Sequence, residues 1–202
     1  PQFIFLTTFI IPQQIFYVNS VYIDILVTLL YNIHIRRMNM NTLNIENTCF
    51  FTGHRIIPND SHPALRNKVK NICTELIKTK NVTHFITGGA LGFDTLAAMV
   101  ILELKKDYPH IKLHLYFPCT NQSVKWTAYD KKMWESIKLM ADDYKYITDM
   151  PYVAGCMQLR NKAMVDASDY GIAYCTRNFG GTASTIKYAK EKNKDITVIF
   201  DI

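Results

Sequence analysis

Two glycine-rich turns are the features of this sequence best suited to hold a charged group. The first reads TGGALGFD (Thr87–Asp94), and the second reads FGGTAST (Phe179–Thr185). A glycine-rich turn between a strand and a helix exposes backbone N–H groups and the positive end of the helix dipole, which favours a phosphate. The spacing G-G-x-x-G lacks the full dinucleotide fingerprint, so each turn alone is only moderately specific. Together they predict a ligand-binding site, with candidate contacts Gly88, Gly89, Gly180, Gly181 and Thr182.

Basic side chains follow another apolar run and could meet the same ligand. Gly53 permits a sharp turn, after which His54 and Arg55 can stand over the strand ends, and Arg55 offers a bidentate fork to a phosphate or carboxylate. The alternative is a turn with two solvated basic residues. Arg160 and Asn161, on a later predicted helix, could also reach this edge, although an isolated pair of this kind is more often found at the surface.

Asp94 and three aromatic residues each carry two interpretations. Asp94 falls in the first turn of a predicted helix, where a carboxylate favours the dipole without any ligand. Its functional interpretation is an acceptor for a ribose hydroxyl, or a catalytic acid. Trp126, Tyr129 and Trp134 could stack on a base, but packing against the core is the more common role of such rings.

Short apolar runs alternate with stretches of helical period from residue 48 onward. Residues 62–80, for example, place apolar side chains three and four apart, which predicts one buried helix face with Ser61 as its cap. Such alternation predicts one doubly wound α/β domain over 48–202, with a mostly parallel sheet that binds ligands at the carboxyl ends of its strands. Strands are predicted at 48–52, 82–87, 111–117, 144–147, 171–175 and 196–202, and helices at 62–80, 93–106, 129–141, 157–167 and 182–191.

Residues 1–37 do not fit this pattern. They are apolar, end in Arg36 and Arg37, and are interrupted by Pro12 and Asp24 before they reach the roughly 20 apolar residues of a spanning helix. A membrane anchor, a secretory signal and translated sequence upstream of a start at Met38 or Met40 are the three interpretations. We expect the segment to be extraneous to the domain or an anchor, so that a membrane is a partner only if the segment is native.

Composition narrows the partners and the compartment. The net charge of +6 permits a polyanion, but the lysines are scattered, so nucleic acid is not the expected partner. Five separated cysteines, without C-x-x-C or zinc spacing, predict no metal site and a reducing cytoplasm, with Cys49, Cys119 and Cys175 as small buried apolar residues. A homodimer is left open.

Five short phrases occur in one order along residues 48–202. They read CFFTGHR (Cys49–Arg55), GGALGFD (Gly88–Asp94), FPC (Phe117–Cys119), GCMQLRNKAMVDASD (Gly155–Asp169) and GGTASTIKYA (Gly180–Ala189). Together they resemble the YpsA-like proteins of the SLOG superfamily, to which the LOG enzymes and the DprA/Smf proteins also belong. The resemblance implies a Rossmann-like, three-layer α/β/α fold that binds a nucleotide-derived ligand such as ADP-ribose, an NAD-like molecule or a nucleoside phosphate, as a sensor. No cofactor beyond that ligand is implied.

The implied site residues are those already named, and the resemblance leaves catalysis open. LOG enzymes cleave the N-glycosidic bond of nucleoside monophosphates with a glutamate in PGG-x-GT-x-x-E, where this chain has Phe179 for the proline and Lys187 for the glutamate. A cation cannot do the work of that carboxylate, so an N-glycosidase here would need another acid such as Asp94. DprA-like binding of single-stranded DNA is the third hypothesis, although the phrase Gly88–Asp94 lacks that family's arginine.

Overall fold

Strands and helices alternate along residues 47–200, which are the residues that the computed structural model describes. The predicted elements are confirmed within these residues, with ends displaced by a few residues, while residues 201 and 202 of the last predicted strand lie outside them. A short 3₁₀ turn (Asn59–Ser61) precedes the first helix. The strands are Thr48–Gly53 (β1), His84–Thr87 (β2), Lys112–Phe117 (β3), Asp143–Tyr146 (β4), Tyr170–Tyr174 (β5) and Asp195–Ile199 (β6). The helices are His62–Lys80 (α1), Phe93–Leu104 (α2), Ala128–Met140 (α3), Cys156–Asp166 (α4) and Gly181–Glu191 (α5).

The six strands form one sheet in the order β4-β3-β2-β1-β5-β6. Each pairing between these strands is parallel, which confirms the predicted Rossmann-like α/β class. The chain winds outward from β1 to β4, then returns to the other side of β1 to form β5. This reversal is a topological switch point between β1 and β5. Since all strands point the same way, the loops after β1, β2 and β5 share one edge, where a doubly wound sheet binds its ligands.

Alternate side chains of the central strands supply two apolar layers. Phe51, Phe85 and Leu115 are fully buried on the face that packs against α1 and α2. Phe50 points the other way and packs with Met164 of α4 and with α5. Burial of each such side chain contributes about 2 kcal/mol, so the two layers fix the helices that carry the edge loops. All five cysteines are buried free thiols, as predicted for Cys49, Cys119 and Cys175.

The start of α1 is held differently from what the sequence predicts. The cap predicted at Ser61 is wrong in its mechanism: Ser61 occupies the N-cap position, but its side chain makes no capping hydrogen bond. Its amide instead donates to the carbonyl of Pro58, 3.0 Å away, because the 3₁₀ turn leads directly into α1.

The N-terminal segment, residues 1–37, lies outside the described residues, so its interpretation stays a prediction. Within residues 47–200, no helix is both long enough and apolar enough to cross a bilayer.

Gly92 joins the turn after β2 to the loop after β1. Its φ is +76°, and a Cβ at this position would collide with the carbonyl groups of His54 and Arg55. The amide of Phe93, the next residue, donates to the carbonyl oxygen of His54 at 3.0 Å. Glycine is thus required both by the backbone conformation and by the close approach of the two loops.

We expect Gly92→Ala to lower the free energy of unfolding by about 2 kcal/mol or more, because it adds left-handed strain to a steric clash. Gly181→Ala is the matched control, since Gly181 has no positive φ and a Cβ there meets nothing within 4 Å. The control should change stability by less than about 1 kcal/mol. Urea denaturation measures both variants, and equal effects would contradict this account of Gly92.

Candidate functional site

Arg160 is a buried arginine, and its burial is visible only in the tertiary structure. It lies on α4, only 6% exposed, with its guanidinium against the backbone of Gly88. A Cβ at Gly88 would overlap Nη1 of Arg160, so the glycine makes room for the guanidinium. The alternative of a surface position for Arg160 is therefore wrong, because the glycine-rich turn leaves a space that its guanidinium fills. Within residues 47–200, neither Nε nor Nη1 of Arg160 has a hydrogen-bond partner.

Asp94 is the internal counter-ion of Arg160. Its Oδ2 lies 3.6 Å from Nη1 of Arg160 and accepts a hydrogen bond from the amide of Ala90 at 3.2 Å. Burial raises the pKa of Asp94, and this effect is opposed by Arg160, by the backbone amides of Ala90 and Gly88, and by Arg55. The carboxylate thus sits where an external anion was expected to contact the turn.

The first glycine-rich turn is largely satisfied by side chains of the chain itself. Besides the Ala90 contact with Asp94, the amide of Gly89 is bonded to Oγ1 of Thr87 at 3.3 Å. On its other side, Gln122 donates from Nε2 to the carbonyl of Gly89 at 2.7 Å. Gln122 was not singled out from the sequence, because nothing in its loop marks it as a partner of a turn more than 30 residues away.

Arg55 places a second guanidinium beside this pair. Its side chain is exposed, and its Nη2 lies 4.0 Å from the sulfur of Met157 in the first turn of α4. Burial raises the pKa of Asp94 and lowers that of Arg160; the charge of Arg55 is close enough to oppose the first change and to add to the second. An arginine stays protonated in proteins. The Arg–Asp–Arg cluster (Arg55, Asp94 and Arg160) therefore carries two cations against one buried carboxylate.

His54 holds the loop after β5 in place. Its Nε2 accepts a hydrogen bond from the amide of Thr176 at 2.9 Å, and its ring meets Tyr174 edge to face at 5.6 Å. Partial burial lowers the pKa of His54, and the nearby charge of Arg177 lowers it further. A neutral imidazole that accepts at Nε2 positions the loop, and in this arrangement that nitrogen is not available as a donor to an anion.

The second glycine-rich turn is open. A Cβ at Gly180 or at Gly181 would meet nothing within 4 Å, and both residues are exposed. The first helical bond of α5 runs from the amide of Ser184 to the carbonyl of Gly180 at 3.0 Å, so the earlier amides, including that of Thr182, have no partner within the helix. Asn161 braces this turn from α4: its Nδ2 donates to Oγ1 of Thr185 at 2.8 Å.

The three aromatic candidates divide between the core and the surface. Trp134 packs on Phe117 with ring centroids 5.1 Å apart, and Trp126 meets Trp134 edge to face at 6.3 Å. Packing is thus the role that the structure gives to both tryptophans. Tyr129 is 73% exposed. None of the contacts described for these rings involves the Arg–Asp–Arg cluster.

A cavity that the sequence did not indicate lies beside α5. Its volume is about 450 Å³, and its lining comes from α5, from the end of β6 and from the loop after β5. No residue of the Arg–Asp–Arg cluster is part of this lining. The cavity and the cluster are therefore separate features, although the loop after β5 contributes to one and is tied by His54 to the other.

Comparison with known sequences agrees with this fold. A family model described as YpsA, the YspA SLOG family, matches residues 52–200. The chain is 35% identical over 139 residues to the SPbeta prophage-derived protein YoqJ of Bacillus subtilis, a match that covers 63% of this chain and 81% of YoqJ. It is 33% identical over 149 residues to a UPF0398 protein of Brevibacillus brevis, covering 70% of this chain and 78% of that protein.

Two solved structures of DNA processing protein A share the fold. The Helicobacter pylori protein, whose structure concerns its single-stranded DNA binding mode, superposes with a TM-score of 0.54 at 19% identity, covering 75% of this chain and 64% of its own. The Streptococcus pneumoniae protein gives a TM-score of 0.57 at 15% identity, with 75% and 49% covered. This chain thus spans less than two thirds of either protein, and at these identities the likeness shows the fold alone.

We expect Asp94 and Arg160 to be energetically coupled. Asp94→Asn leaves a buried cation without its counter-ion, and Arg160→Met leaves a buried carboxylate, so each should destabilise by about 3 kcal/mol or more. The double variant should cost less than the sum of the two by at least about 1 kcal/mol. Urea denaturation of all four proteins measures the cycle. Additive effects would show that the pair is not coupled.

We also expect His54 to make stability depend on pH. Its folded pKa is lowered, so the unfolded chain takes up this proton first, near pH 6.5, as the pH falls. The contribution of His54 is complete above that pH and is lost as the pH falls toward the folded pKa. His54→Gln should show a shallower loss of stability between about pH 7.5 and pH 5, measured by urea denaturation. The pKa values of His84 and His114 are lowered too. Their contribution to the pH dependence is the same in the wild-type protein and in the variant, so it cancels in the comparison.

Proposed function

The chain belongs to the YspA SLOG family, and we propose that it binds a nucleotide-derived ligand at the carboxyl edge of its sheet. The ligand is ADP-ribose, an NAD-like molecule or a nucleoside phosphate, and the protein acts as a binding module or sensor for it. The observation that carries the proposal is the buried guanidinium of Arg160, two of whose nitrogens have no hydrogen-bond partner in the part of the chain that the structure describes. Buried polar groups are normally satisfied, so such donors point to a missing acceptor.

Charge supports an anionic group as that acceptor. Asp94 neutralises Arg160 within the Arg–Asp–Arg cluster, and the charge of the exposed Arg55 has no carboxylate of the cluster left to compensate it. Guanidinium groups recognise phosphate oxygens through short, charge-assisted hydrogen bonds. Arg55 is exposed and can move toward a phosphate, whereas Arg160 is held by its packing against Gly88. The pair thus combines a fixed and an adaptable contact.

The two glycine-rich turns take different parts in this proposal. Gly180, Gly181 and Thr182 receive a phosphate with the free amides at the start of α5. Gly88 and Gly89 shape the site by admitting Arg160, because the amides around them already serve Thr87 and Asp94. Gly53 and His54 position the loops, and Asn161 braces the start of α5.

Binding is favoured over hydrolysis of an N-glycosidic bond. Asp94 is the acid considered for hydrolysis, and its Oδ2 is engaged by Ala90 and lies beside Arg160. A carboxylate fixed as an internal counter-ion is poorly placed to activate water or to stabilise a developing cation. Lys187, at the position of the glutamate in the LOG motif, is exposed on α5 and brings a charge of the wrong sign.

Arg55→Gln tests the proposal. Calorimetric titration with ADP-ribose, NAD and nucleoside monophosphates should identify a ligand for the wild-type protein. The variant should weaken its binding about tenfold to a hundredfold, because one charge-assisted contact is lost. Stability should not change, since Arg55 is exposed and its described contact is a weak one to Met157.

Lys78→Gln is the matched control, because it removes one exposed positive charge in the last turn of α1, away from the edge loops. It should leave the affinity unchanged. The proposal fails if no nucleotide binds at millimolar concentration, or if both variants lose affinity equally. Tight binding of a single-stranded oligonucleotide with a steep salt dependence would favour DNA binding instead.

A further inference from the structure

The cavity beside α5 has an apolar floor. Ile186 of α5 and Val198 of β6 face it together with Phe200, which follows β6 and is 61% exposed. At about 450 Å³ the cavity falls within the range of sites that hold small organic ligands. This apolar floor is in contact with water. Covering it with a flat or branched hydrocarbon group lowers the free energy of the system.

The rim of the same cavity is basic. Among the described residues that line it are Arg177 from the loop after β5, Lys187 and Lys190 from α5, and one acidic residue, Glu191. These described lining residues carry three positive charges and one negative charge, an excess of two positive charges beside the apolar floor. Lys187 and Lys190 are three residues apart on α5, so they stand next to each other on one side of the helix and can hold the same acidic group.

We infer that this cavity is a second binding site, for a small amphipathic anion. The ligand has an apolar body that lies on Ile186, Val198 and Phe200, and a carboxylate, sulfonate or phosphate group that Lys187 and Lys190 hold. The inference goes beyond the proposed nucleotide site, because none of the residues proposed for that site lines the cavity, although Asn178 and Ala183 of the lining flank the turn Gly180–Thr182. Arg177 closes the rim from the same loop whose Thr176 is bonded to His54.

The probe for this site is 8-anilinonaphthalene-1-sulfonate, which joins an aromatic body to one sulfonate and fluoresces when its surroundings become apolar. It should bind the folded protein in the micromolar range. Lys187→Gln combined with Lys190→Gln should weaken that binding about tenfold or more, through loss of the charge-assisted contacts. The control pair, Lys78→Gln with Lys80→Gln, removes two exposed charges from the end of α1 and should leave affinity unchanged.

A steric variant tests the apolar floor. Ile186→Trp fills part of the cavity and should reduce dye binding, while thermal melting followed by circular dichroism reports whether the protein is folded. If that variant does not fold, the lysine pair decides the matter alone. The inference is overturned if the Lys187 and Lys190 pair binds the dye as well as the control pair does, or if a folded Ile186→Trp protein binds it as well as wild type.

Competition separates this inference from the proposed function. Millimolar ADP-ribose and the Arg55→Gln substitution should both leave dye binding unchanged. If ADP-ribose displaces the dye and Arg55→Gln weakens its binding, the cavity is part of the nucleotide site and the inference of a separate site is wrong. If no nucleotide binds the protein but the dye still depends on Lys187 and Lys190, the proposed function fails and the second site stands.

Discussion

The burial of one arginine against one glycine organises the carboxyl edge of this sheet. The guanidinium of Arg160 occupies the space that the missing side chain of Gly88 leaves, and Asp94 supplies its counter-ion from the start of α2. Removing a charge from water costs several kcal/mol even after relaxation, so the arrangement is stable only because both partners are held by packed elements. The turn after β2, the start of α2 and the body of α4 are in this way fixed to one another.

This constraint makes two similar turns chemically different. Both follow parallel strands and both lead into helices, so both have amides at the positive end of a helix dipole. The turn after β2 faces the interior between α2 and α4, and its amides are occupied by Thr87 and Asp94. The turn after β5 is exposed, and among the described residues a Cβ added at Gly180 or Gly181 would meet nothing within 4 Å. The side chains opposite each turn decide whether its amides are already occupied. The carboxylate of Asp94 occupies the first turn, and the second turn is left open.

The loops of this edge are connected through the backbone as much as through side chains. Gly92 lets the turn after β2 contact the carbonyls of His54 and Arg55, and His54 in turn holds the amide of Thr176 after β5. Three loops from strands on both sides of the switch point thus form a continuous rim. A neutral histidine suits this position, because its acceptor nitrogen satisfies an amide that would otherwise lose its partner.

The sequence by itself determined the element order, the parallel sheet and the edge at which the candidate residues gather. These follow from the period of the apolar residues, from the alternation of strands with helices and from glycine at the strand ends, all of which are local features of the sequence. It did not determine that Arg160 is buried, that Asp94 binds an amide of the first glycine-rich turn, or that His54 binds the loop after β5. Only the tertiary structure decided those points, because each depends on two residues far apart in sequence, and the free energy of a buried charge is set by its neighbours in space.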